Sequence, residues 1–405
     1  MYGLLKSRNQ AMNHETLDFL RRLIQTPSPS LMEGEAAQLI EEEMKALGYD
    51  KVSRDDAGNV IGIIYGIEGD PALVLNSHMD TVETTPSARW ETAPYGALMK
   101  GNSIYGSGAA DCKGGLAAQV YAGALLKRSL LPLKGTLVVA ATTAEENGCS
   151  LGVRELFKKT LPSLGLKPGY AILGEPSGLG LYYGHDGRVE LDIRIEGSNP
   201  FQVNDAARSI YSEISRDGEN GAGANIEVRQ PLFANTGGMR HASIRVAKRL
   251  QGSESASNVL TQIRHETKFV AQSAQAMAVQ VAVCEEEQML YNGTRTLVKH
   301  VVDAWATDPF HPLMERSRQA LAAAGIQVRT GKWQLGRMGM GTAGGVLTRE
   351  FGIPVIGYGP GDETQAHSQN ESVDVRKVYE AVYGTAAIVH SLVGIPVFGW
   401  TSDEI

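Results

Sequence analysis

The chain is predicted to be an α/β protein in two parts. Residues 1–185 and 296–405 form a domain with a mostly parallel sheet flanked by helices, and residues 186–295 form a smaller α+β domain inserted into it. Three observations predict this. At both ends of the chain, apolar runs of strand length alternate with amphipathic helical stretches, as in a parallel sheet covered on both faces. Between them, strands alternate apolar and polar residues, the pattern of a sheet with one wet face. With 405 residues and 42% hydrophobic composition, the chain is long enough for two or three domains and can bury a sizeable core.

The elements follow in order. "HETLDFLRRLIQ" spaces Leu17, Leu20 and Ile24 along one face of a helix, and the two prolines of "TPSPS" end it. "EAAQLIEEEMKALG" turns Ala36, Ile40, Met44 and Leu47 inward and has Gly48 as its cap. Strands follow at "NVIGIIYG" and "ALVLNS", then a helix over "GGLAAQVYAGALLKRS" and an apolar strand "GTLVVAATT". After "YYGHDG" the texture changes: "RVELDIRIEG" alternates as a half-buried strand, and a helix follows at "DAARSIYSEIS". Further strand and helix candidates are "HASIRVAKRL", "SASNVLTQIRHET" and "AMAVQVAV". The α/β pattern returns with helix "HPLMERSRQALAAAG", the glycine-rich "GRMGMGTAGG", strand "IPVIGYG" and a closing helix "VRKVYEAVYGTAAIVHSLV". There is no internal repeat or low-complexity tract.

Composition excludes several functions. The net charge is −7, acids and bases are interspersed, and no block of five or six like charges occurs, so nucleic acid and anionic membrane are not expected partners. Cys112, Cys149 and Cys284 stand far apart without a CxxC pair, which fits reduced thiols better than a disulfide framework. The N-terminal stretch lacks a signal peptide's hydrophobic core, and no apolar run approaches the ~20 residues of a membrane span. The expected location is the cytoplasm.

Acids and imidazoles gather where the predicted strands end. In open α/β sheets, ligands bind outside the carboxyl ends of strands. His78 and Asp80 follow "ALVL", and Asp111 lies in "YGSGAADCKGG", a glycine-rich loop leading into a helix. Glu145 and Glu146 follow "LVVAATTA", Glu175 follows "YAILG", and His367 lies in "GDETQAHSQNE" after "IPVIGYG". Two histidines and three carboxylates can hold a pair of divalent ions such as zinc, manganese or cobalt, which leaves two carboxylates for other work. Each residue alone has an ordinary reading: a surface His–Asp pair, a solvated helix start, a helix cap, a loop histidine. Their order and flanking residues together are specific.

That order resembles the dinuclear metallohydrolase family of acetylornithine deacetylase, succinyl-diaminopimelate desuccinylase, aminoacylase and carboxypeptidase G. The similarity runs over nearly the whole chain. It is sharpest at "SHMDTV", "WETAPYGALMKGNSIYGSGAADCKGGLAA", "TAEENG", "GEPSG" and "FGIPVIGYGPGDETQAHSQNES". The resemblance implies that Asp111 bridges two metals, that His78 and Glu175 complete one site, and that Glu146 and His367 complete the other. It implies that Asp80 hydrogen-bonds the far nitrogen of His78, and that Glu145 is the general base and acid for a water acidified by the metals. The implied fold is a catalytic domain with an inserted lid that commonly forms a dimer interface. The implied reaction is hydrolysis of a C–N bond, usually an amide, in a small substrate such as an N-acyl amino acid or dipeptide.

The departures from the family pattern are informative. The family's first lid strand is usually followed by a glycine and a histidine that helps stabilise the tetrahedral oxyanion in a neighbouring subunit. Here "IEGSNPFQVNDAARSI" is shorter and has no histidine, and His185 and His241 do not match the position. Asn199, Gln202, Asn204 and Arg249 are the candidate replacements. Ser107 stands where the family has an arginine before the bridging Asp. In "IRVAKRLQGSES", Arg249 matches the family's lid arginine, while Ala247 stands in place of an Asp. Arg249 could grip a substrate carboxylate bidentately. The glycine-rich "GRMGMGTAGG" matches no phosphate-binding motif and reads as a substrate loop, with Arg337 a second anion anchor. The missing histidine motivates an alternative, a relative that hydrolyses another C–N bond at an aryl amine or imine-like carbon. A non-catalytic metal-binding scaffold is the alternative of another class, and it would have no use for Glu145.

Overall fold

The computed structural model describes residues 1–84, 90–147, 150–220, 226–251, 254–273, 278–333 and 341–396. Among these, an eight-stranded sheet runs in the order Lys51–Arg54, Val60–Ile64, Gly135–Thr142, Gly69–His78, Pro168–Leu173, Val355–Gly357, Leu181–Tyr182, Thr330–Gly331. Its centre is parallel, as expected. Gly69–His78 pairs in parallel with Gly135–Thr142 on one side and Pro168–Leu173 on the other, and Val355–Gly357 extends the parallel run. Antiparallel pairs finish the flank at Val60–Ile64 and Lys51–Arg54.

Alternate residues of the central strands feed two cores, because successive side chains of a strand point to opposite faces. Leu73, Leu75, Leu137 and Val139 face helices Tyr2–Gln25, Gly34–Ala46, Gly114–Arg128, Pro312–Ala323 and Val375–Val393. Ala72, Val74, Val138 and Ala140 face the helical run 151–163, the helix Gly344–Phe351, and Trp305 and Trp333. Burial on both faces explains why these strands read as unbroken apolar runs.

The second sheet is antiparallel and centres on Gly187–Gly197. Met239–Leu250 pairs along its whole length, from Gly187↔Leu250 to Gly197↔Arg240, and Ala278–Val283 pairs on its other side. Val189, Leu191, Ile193 and Ile195 are buried in a core shared with helices Pro200–Asn220 and Ala256–Ser273, while Arg194 and Glu196 are exposed. No helix among the described residues is long and apolar enough to cross a membrane.

Two features differ from expectation. The first helix starts at Tyr2 rather than near His14, because Leu5, Asn9, Met12 and Thr16 continue its buried stripe and Asn9 Nδ2 donates to Tyr379 O at 2.8 Å. The second is a hairpin, Glu285–Met289 with Arg295–Lys299, that lies in the chain between Ala278–Val283 and Val301–Val302, both paired with Gly187–Gly197, and carries mostly exposed side chains.

Candidate metal centre and active site

The site is built where the parallel strands end. His78 is the last residue of its strand, and its Nδ1 lies 2.9 Å from the Asp80 carbonyl oxygen and 3.5 Å from Asp80 Oδ1. Both neighbours only accept, so Nδ1 carries a hydrogen, which leaves Nε2 as the ring nitrogen available to an ion. Nε2 points at Asp111 Oδ1, 3.2 Å away, and lies 3.8 Å from Glu175 Oε2. The Asp80 carboxylate also accepts the backbone N–H of Glu145 and of Glu146, each at 3.0 Å to Oδ2, and the Ser30 hydroxyl at 2.6 Å. One buried acid thus orients both an imidazole and the loop that carries two glutamates.

Asp111 faces two ways. Its Oδ1 meets His78, and its Oδ2 lies 3.6 Å from His367 Nε2. His367 Nε2 is 2.5 Å from Glu146 Oε2, while Glu146 Oε1 is buried with no hydrogen-bond partner. The loop bearing Asp111 is held by Glu371, which accepts N–H groups from Gly108 at 2.8 Å, Ala110 at 2.7 Å and Asp111 at 2.8 Å. Gly108 has φ +79, and a Cβ there would lie 2.6 Å from Thr81 Cγ2, so only glycine lets the loop turn in.

Two groups of donor atoms result, each within 4.8 Å of one another: His78, Asp111, Cys112 and Glu175, and Asp111, Glu146 and His367. They share Asp111. Burial and the neighbouring Asp111 charge raise the carboxyls of Glu146 and Glu175 above their usual range. Lys113, also buried, gives its ammonium to Leu23 O and Thr26 O, each at 2.8 Å, rather than to these acids. Buried carboxylates at this spacing, one with an unpartnered oxygen, fit divalent cations. Glu145 stands outside both groups, buried beside them, and burial pushes its carboxyl up to about 8.

These shifts predict how stability depends on pH. Burial raises Glu33 from 4.5 to about 7, and Glu371 from 4.5 to about 8. Burial works against His367, but its hydrogen bond to Glu146 carries it from 6.5 to about 9. In every case the folded protein holds the proton more tightly than the unfolded chain. The stabilisation is therefore full at low pH and lost as pH rises through the folded values. Chelator-stripped protein should melt lower at pH ~8 than at pH ~5, and adding divalent ions should restore more at the higher pH.

The lid candidates are engaged locally. Asn199 Oδ1 accepts the N–H groups of Phe201 and Gln202 at 3.0 and 3.4 Å, capping the helix Pro200–Asn220 on which Gln202 is exposed. Asn204 Oδ1 accepts Arg240 Nε at 3.0 Å, and Arg249 Nε lies 3.2 Å from Asp186 Oδ2. Arg337 and the start of the glycine-rich stretch lie outside the described residues. His185 makes ordinary polar contacts: its Nε2 accepts the Thr342 N–H at 2.8 Å, its Nδ1 lies 2.7 Å from Asp186 O, and burial lowers it to about 4. His241 Nδ1 lies 3.7 Å from Glu196 Oε2.

Glu371 and the hairpin were missed. Glu371 follows His367 in the recognised "HSQNES", but its role depends on a partner loop far away in sequence. The hairpin carried a signal, the Asn-Gly of "EEEQMLYNGTRTLVK". Leu290 packs into a small cluster with Ala57 and Ala144, Tyr291 Oη donates to Gly58 O at 2.8 Å, and Asn147 Nδ2 donates to Gln288 Oε1 at 2.5 Å. The hairpin therefore packs on the turn at Ala57 and Gly58 and on the loop that carries Glu145, through Ala144 and Asn147. Leu290→Ala should destabilise the protein by ~2–5 kcal/mol in denaturant unfolding, the range for truncating a buried leucine.

Comparison with known proteins places this arrangement. The chain matches the peptidase family M20/M25/M40 over residues 74–391. It is 26% identical over 405 aligned residues to the protein YgeY of Escherichia coli (strain K12), covering 95% of this chain and 94% of that one. It is 26% identical over 420 residues to the N-formyl-4-amino-5-aminomethyl-2-methylpyrimidine deformylase of Bacillus subtilis (strain 168), covering 93% and 94%. The YXEP protein of Bacillus subtilis, a dinuclear metal binding peptidase of the same family, shares the fold with a TM-score of 0.70 at 15% identity, over 95% of this chain and 99% of that one. With the family matched over most of its length, the chain belongs to the peptidase family M20/M25/M40 and is a hydrolase.

Proposed function

We propose that the protein hydrolyses the C–N bond of a small amide, an N-acyl amino acid, dipeptide or N-acyl amine. In this reading His78, Asp111 and Glu175 hold one divalent ion, and Asp111, Glu146 and His367 hold the second. The carrying observation is Asp111, whose two oxygens face two imidazoles on opposite sides, with Glu145 buried beside both groups and part of neither. When bound, the ions lower the pKa of water and polarise the carbonyl. Glu145 takes the proton from water and delivers it to the leaving nitrogen, and its raised proton affinity suits work near neutral pH. Asp80 keeps His78 in the tautomer that frees Nε2 and holds the Glu145–Glu146 backbone in place. The 26% identical deformylase, whose name describes removal of an N-formyl group, supports an amide substrate.

The inserted domain, residues 186–295, is read as the lid and as the contact of a homodimer or higher homo-oligomer. Within it, Asn199 and Asn204 are already hydrogen-bonded in place. That observation keeps a second reading, in which the enzyme attacks an aryl amine or imine-like carbon that needs no lid oxyanion donor. Turnover assays of the metal-loaded protein on N-acyl amino acids, N-formyl amines, dipeptides and aromatic amines separate the two. Release of carboxylate from an acyl substrate supports the first, ammonia or amine from an otherwise non-acylated substrate the second. No hydrolysis of any C–N compound would count against both and favour a scaffold.

A further inference from the structure

Cys112 directly follows Asp111, is fully buried, and offers its Sγ within the same 4.8 Å set as His78, Asp111 and Glu175. We propose that Cys112 Sγ is a ligand of the divalent ion held by His78 and Glu175, making that position selective for zinc-like, thiophilic ions. The inference rests on the two-metal reading above and adds a sulfur to it. Zinc is commonly held by a tetrahedral mixture of thiolate, imidazole and carboxylate, whereas manganese and magnesium favour oxygen. On loading, the S–H bond breaks, a sulfur–metal bond forms, the proton passes to solvent, and a water leaves the incoming ion. No oxidant or reductant is needed.

Ser77 lies beside the thiol, and its hydroxyl donates to Gln119 Oε1 at 2.9 Å. With Cys112 included, the first position has an anionic sulfur beside Glu175 and the shared Asp111, while the second has only Glu146 and Asp111 as anionic donors. The two positions should therefore differ, the first retaining zinc in a large excess of manganese and the second exchanging.

The test loads stripped protein with cobalt(II) and counts metal by elemental analysis. Wild type should show a sulfur-to-cobalt charge-transfer band in the near ultraviolet that Cys112→Ser and Cys112→Ala lack. Cys149 and Cys284 remain in all three proteins, so the difference reports Cys112 alone. Zinc preference over manganese at one position should fall by at least ~10-fold in Cys112→Ser. X-ray absorption of zinc-loaded wild type needs no variant and should find a sulfur scatterer at ~2.3 Å. Two bound ions with no sulfur scatterer and a spectrum unchanged by the substitutions would overturn this inference and leave the two-metal reading standing. Failure to bind cobalt or zinc at all would overturn both.

Discussion

Glu145→Gln should keep the metal content of the protein and lower turnover at least ~10²-fold, the lower end of what a positioned proton-transfer group contributes. Glutamine preserves size and the buried position but cannot accept a proton. Because Glu145 lies outside both donor groups, its loss should not release an ion. Glu146→Gln makes the contrast: it removes a donor 2.5 Å from His367 and should weaken metal binding first. Elemental analysis and rate measurement on the same preparations check both. Full activity of metal-loaded Glu145→Gln would show that another group moves the proton.

Asp111→Ala should bring activity to background and retain fewer than ~1 of two metal equivalents, because it removes the oxygen donor common to both positions and their bridging role. His367→Ala touches only the second group and should keep about one equivalent. The unequal outcome matters more than either loss. Circular dichroism should show that both variants fold, since Glu371 still holds the loop through the backbone N–H groups of Gly108 and Ala110. Equal metal loss in the two variants would argue against a shared aspartate.

The central strands were legible because burial on both faces leaves unbroken apolar runs such as "ALVL" and "LVVAA". Val189, Leu191, Ile193 and Ile195 were equally plain, since a sheet with one wet face imposes a period of two. The seven strand-end residues stood out through their order, and the family resemblance is borne out by the match over residues 74–391. Other features depend on distant partners. Glu371 is an ordinary acid until folding brings it to the N–H of Asp111, 260 positions earlier. The hairpin was hidden by Glu285, Glu286 and Glu287, which face solvent and leave Gln288 buried between exposed neighbours. Arg249 matched a family position, but the family pattern could not reveal that Asp186 lies within ion-pair distance of it.

The central claim is a pair of divalent ions sharing Asp111. Anomalous diffraction from crystals of the zinc-loaded protein, recorded at the zinc edge, tests it most directly. Two peaks roughly 3.5–4 Å apart are expected, one bordered by His78 and Glu175, the other by Glu146 and His367, with an Asp111 oxygen on each. A single peak in crystals of fully active protein, or two peaks that leave Asp111 out of contact with either, would contradict the account.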